Sequence, residues 1–185
     1  NDAIGVLTEE QIGKLSTDQI SGLLSTQMAG FSAAQLGKFS SAQMGALSAV
    51  QVGALITDQI AGFSADQIGQ LSNAGTTGLK ATQIAAMTET QLEGLNVAQA
   101  AALTAAQVAA LTPADIEKFT PDEIGAIGAK VIGSLKPEAV AALSAEQIAK
   151  LSPDQIKGLA SKQIVMFTAD KLAGFSPAQM SAMTA

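Results

Sequence analysis

Cysteine, histidine, tryptophan, tyrosine and arginine are all missing from this chain of 185 residues, and each absence closes a branch of chemistry. Without cysteine there are no disulfides and no thiolate metal sites. Without histidine, general acid–base work falls to carboxylates held in a cleft. Charged residues are only 14%, all ten basic residues are lysine, and the net charge is −6, a balance that repels the phosphates of nucleic acid. No run approaches the eighteen or so apolar residues of a membrane span, although 48% of the residues are hydrophobic. The chain opens Asn1-Asp2-Ala3 without a Met, which reads as a processed product or a fragment whose targeting signal lies outside the sequence.

What is present is a repeat. The stretch LSAEQIAKLSPDQIKGL, residues 143–159, states one eight-residue phrase twice. Counting from Thr8, twenty-two octads run to Met183 without an insertion or deletion. Position one is Ser or Thr in fifteen of them and position four is Gln in sixteen. Position five is a large aliphatic residue except at Thr76 and Ala100, and position eight is Leu, Phe, Met or Ile throughout. Positions five and eight are therefore the expected core.

A period of eight fits neither regular element over long stretches. One continuous helix would swing its apolar stripe by roughly 80° per octad. On a strand, positions five and eight have opposite parity and would point to opposite faces. Proline decides the matter, because Pro113, Pro121, Pro137, Pro153 and Pro177 all stand at position two. Proline is favoured as the first residue of a helix and breaks its interior. Each octad is thus expected to start its own helix.

The phrase S/T-x-x-Q is a capping box, and acids at position three, such as Asp18, Asp66 and Asp154, suit the first turn of a helix. The apolar residues before and four after the cap form a hydrophobic staple, pairing Leu143 with Ile148 and Leu151 with Ile156. A helix of a turn and a half cannot stand alone, so neighbouring octads must bury it. The expected fold is all-α: an α-solenoid of very short capped helices, one per octad, forming a single repeat array over residues 1–185. Position seven is small in every second octad, as at Gly30, Ala46, Gly62 and Gly78, which predicts two octads, sixteen residues, per coil.

Three segments depart from the phrase. In residues 72–79, SNAGTTGL, Gly75 replaces Gln and Thr76 the aliphatic residue. The stretch lacks the Lys and Ser/Thr of a phosphate-binding loop, so a loosened or kinked octad is the expectation. In residues 128–135, GAKVIGSL, Gly128 and Val131 point to a bend or a close-packing site. Around Ala100 the core column thins, which suggests a tight approach or a small cavity.

No catalytic, cofactor-binding or metal-binding residue is expected, and no cofactor. The densest acids, Asp115, Glu117, Asp122 and Glu123, lack the spacing of a calcium-binding loop and read as a solvated face. The chain is read as a non-enzyme.

The [LF]-[ST]-x-x-Q-[ILVM]-x-x octads, from Leu7 to Met183, resemble tandem repeats of large exported or surface proteins of Gram-negative bacteria, adhesin-like or haemagglutinin-like. That resemblance implies an extracellular or cell-surface location and a role as stalk, spacer or filament. A second resemblance, of L-[ST]-P-[DE]-Q-[IV] to the opening of transcription activator-like effector repeats, would imply DNA binding. Those repeats are about four times longer and carry a basic second helix, whereas this chain has no arginine.

The expected function is structural: an extracellular stalk, or a filament-forming subunit stacking end to end through self-association. The alternative is a module whose repetitive face binds a surface, lipid or glycan. A cell-surface or matrix partner is compatible with both.

Overall fold

Each Ser/Thr-x-x-Gln phrase closes the start of a helix on itself. At Ser152, in extended backbone, the hydroxyl accepts the N–H of Gln155 at 3.1 Å while Gln155 Oε1 accepts the N–H of Ser152 at 2.7 Å. The same reciprocal pair recurs at Thr8, Ser40, Thr88 and Ser144. Where the hydroxyl is missing, at Leu24, Ile56, Lys80 and Ala160, the glutamine half of the box still holds the cap N–H. The five prolines each open a helix. At the far end the N–H of position eight returns to the carbonyl of position five, as from Leu151 to Ile148 at 3.0 Å, and the chain then runs extended into the next cap.

The result, in a computed structural model that describes residues 2–183, is twenty-three α-helices of four to seven residues and no strand among the described residues. The helices pack against one another in a repeating, solenoid-like pattern. Positions five and eight form the core, with Ile68, Ile124 and Ile148 from the first column and Leu47, Leu111 and Leu143 from the second at 0–1% exposure. Aromatic residues of successive octads meet edge to face, as Phe31 and Phe39 do at 5.5 Å between ring centroids.

The expected coil of two octads is not what the packing gives. Helix Ala49–Ala54 packs on Asn73–Gly78, Pro121–Ala126 on Ala145–Lys150, and Pro153–Gly158 on Pro177–Met183, each pair three octads apart. The alternation at position seven has a different cause. That position faces positions two and six of the octad three before it, and several of its residues are small or charged to suit that neighbour. A Cβ on Gly62 would lie 2.8 Å from that of Ala33, and one on Gly69 would lie 2.6 Å from the carbonyl oxygen of Gly94. Elsewhere Lys38 reaches Glu9 at 3.2 Å and Lys150 reaches Asp122 at 2.7 Å over the same three-octad step.

The chain divides into two compact units, Asn1–Leu95 and Asn96–Ala185, and each is built by these rules. The first contains the glycine-rich octad, which is neither loosened nor kinked: Asn73–Gly78 is a six-residue helix capped by Ser72, with Thr76 fully buried. The second contains residues 128–135, where the helix Ala129–Ile132 has no side-chain cap. There Gly133 and Gly158 approach so closely that a Cβ on either would collide with backbone, in line with the close-packing reading. Ala100, where the core column thins, is fully buried in the second unit.

Candidate functional site

The feature with the most chemistry in either unit is the column of glutamines at position four. Each amide has one acceptor oxygen and two N–H donors, and most of these side chains spend all three. The oxygen takes the cap N–H of its own octad. The nitrogen donates to two main-chain carbonyls, at positions five and eight of the octad four earlier.

In the first unit Gln43 Nε2 reaches the carbonyls of Ile12 and Leu15 at 2.9 and 2.8 Å, and Gln59 reaches those of Met28 and Phe31 at 3.1 and 2.7 Å. Gln83 and Gln91 continue the ladder on Val52 and Leu55 and on Ile60 and Phe63. In the second unit Gln147, Gln155 and Gln179 do the same, the last to Ile148 and Leu151, both at 2.8 Å. These glutamines are at most 9% exposed, and each bond is worth about 0.5–1.5 kcal/mol net while costing more if left unmade.

A coil therefore closes between three and four octads: helix packs on the third neighbour, glutamine bonds to the fourth. At two positions where the column departs from Gln, another group reaches a carbonyl of the octad four earlier. Lys171 occupies position four and its ammonium donates to the carbonyl of Ala141. Gly75 has no side chain, and its backbone lies so near the carbonyl of Leu47 that a Cβ would stand 3.1 Å away; the Ser72 hydroxyl donates to that carbonyl instead, at 3.5 Å.

Three of the four acidic residues singled out from the sequence have structural partners. Asp115 and Glu123 stand at position four and accept the cap N–H groups of Thr112 and Thr120, both at 2.8 Å, and Asp122 pairs with Lys150. No group of three metal-ligating side chains converges among the described residues. The Glu146 carboxyl is held below its usual value by its own backbone N–H and the Ser144 hydroxyl. No described helix is long and apolar enough to cross a membrane.

Two things escaped the sequence reading. The glutamine amide has a second task beyond its cap, and position six, rich in Gly and Ala, marks where backbones approach across three octads. The chain matches no protein-family model and has no significant match among the curated proteins.

Proposed function

We propose that this protein is a structural one, an extracellular stalk or a filament-forming subunit whose repeating interface continues end to end from one copy to the next. One observation carries the reading: the polar side chains that recur in the octads are consumed in holding octad to octad. Glutamine closes both its own helix and the bridge to the fourth neighbour, Ser and Thr cap, and lysine at position seven pairs across three octads. Such a set makes a surface that repeats, and what a repeating surface does best is extend or present itself.

The cell-surface location, the bacterial origin and the adhesin-like role come with the resemblance of the octads and form part of the same proposal. Electron microscopy of the purified chain is the experiment. Linear assemblies that lengthen with concentration support the reading; a strictly monodisperse monomer at all concentrations removes its assembly half. Surface labelling of intact producing cells tests the location, and exclusive labelling after lysis would count against it.

A further inference from the structure

We infer that the first unit pairs with a second copy of itself through one charge-free side, made by octads 24–31, 48–55 and 72–79. These octads stack in one column: Ser25–Met28 packs on Ala49–Ala54, which packs on Asn73–Gly78. None of the three contains a charged residue, although residues 1–95 hold eight acids and three lysines. The other two columns of the unit carry acids at position three, Asp18 and Asp66 in one, Glu10 and Asp58 in the other. The column lies within the unit, for the helix Asp2–Gly5 comes before its first octad and a Cβ on Gly5 would stand 3.8 Å from the carbonyl oxygen of Gly30. The pairing is therefore independent of the end-to-end assembly proposed above.

Apolar side chains stand out of this side where the repeat elsewhere puts polar ones. Val50 is 72% exposed, Leu24 65%, and Ile56, on the edge just after Leu55, 58%. Leu24 and Ile56 occupy the cap position and give up its hydroxyl bond, and Val50 takes position three, where an acid suits the start of a helix. Gln51 Nε2 donates to the carbonyl of Leu23 at 2.8 Å, which brings the adjoining residues Val50 and Leu24 to neighbouring places. Around them the relief is low. A Cβ on Gly53 would lie 3.0 Å from the carbonyl oxygen of Gly78, and one on Gly78 would collide with the backbone of Ala49. In the third octad the exposed side chains, Ala74 and Thr77 among them, are small.

Charge selects a second copy as the occupant. With eight acids against three lysines, two first units that meet through either other column set carboxylates against carboxylates, whereas through this side they meet without any. The side is also complementary to itself. About a twofold axis along the middle octad, Val50 faces Val50 of the second copy, Ile56 faces Ile56, and Leu24 falls on the small residues around Ala74. The same patch serves both copies, so the contact closes as a dimer. Three layers about 8–10 Å apart, each a helix about 9 Å long with its turn, give a contact on the order of 300–400 Å² a side. That is under the roughly 800 Å² a side of stable complexes, so the dimer is weak and forms at high concentration.

Two experiments on the 185-residue chain test this. Val50→Asp installs the residue that octads 16–23, 56–63 and 64–71 already carry at position three, so melting should be unchanged. Sedimentation up to about 1 mM should show the wild type associating and this variant weakened at least about tenfold. Ala42→Asp, at the same position of the neighbouring column and also exposed, should associate like the wild type. In a protein that has no cysteine of its own, V50C should oxidise to a disulfide-linked dimer at least about tenfold faster than A42C. The inference is overturned by a wild type that stays monomeric at that concentration, by Val50→Asp associating like the wild type, by Ala42→Asp weakening it as much, or by equal cross-linking rates.

Discussion

Gln91 Nε2 stands 2.8 Å from the main-chain oxygen of Phe63, twenty-eight residues earlier, in the buried interior of the first unit. The same nitrogen holds the oxygen of Ile60 at 2.7 Å, and the side-chain oxygen holds the N–H of Thr88 at 2.9 Å. Gln91→Ala should therefore remove three bonds at once and leave two carbonyls in an apolar setting. A loss of about 2–4 kcal/mol in urea denaturation is expected. A loss below about 0.5 kcal/mol would mean the amide is only a cap.

Caps should behave as separable, smaller contributions. Ser152→Ala deletes the acceptor for the Gln155 N–H and should cost about 1 kcal/mol, while the returning Gln155 oxygen remains. Ala160→Ser supplies the missing acceptor at a cap whose glutamine half is already in place, 2.7 Å from the Ala160 N–H, and should stabilise by about 0.5–1 kcal/mol. Chemical denaturation of the pair checks both signs.

Glycines should divide by what faces them. A Cβ on Gly69 would meet the Gly94 carbonyl oxygen at 2.6 Å, so Gly69→Ala should destabilise by about 1–3 kcal/mol. Gly13 ends the helix Glu9–Gly13 with nothing within 4 Å of such a Cβ, so Gly13→Ala should be neutral or stabilise by up to about 1 kcal/mol. Thermal melting of the two variants separates a packing requirement from a general preference for glycine.

Local structure was legible in the sequence because each helix is made inside its own octad. Ser or Thr at position one, Pro at position two and Gln at position four specify the start of a helix without reference to anything distant. The number of octads per coil was not legible from position seven alone. Gly62 is small because of Ala33, and Lys150 is charged because of Asp122, and neither partner is visible to a count of alternate octads. The second task of glutamine did leave a trace. A capping box accepts Glu as readily as Gln, and the helix dipole favours the carboxylate. Yet position four is Gln sixteen times and Glu once, at Glu123, because of these two side chains the amide can donate to carbonyls four octads back and the carboxylate cannot.

The central claim is that an octad depends on its third and fourth neighbours as much as on those adjacent in sequence. Ile148→Asp places an unpaired charge in the second unit's core, at a residue 1% exposed, and should open its octad. Its helix packs on Pro121–Ala126, and Gln179 of Pro177–Met183 bonds to the carbonyls of Ile148 and Leu151. Native-state hydrogen exchange, read segment by segment, should show protection falling in 121–126 and 177–183 as strongly as in the adjacent helices 137–141 and 153–158. Loss confined to the adjacent helices, or centred on octads two away, would contradict the account.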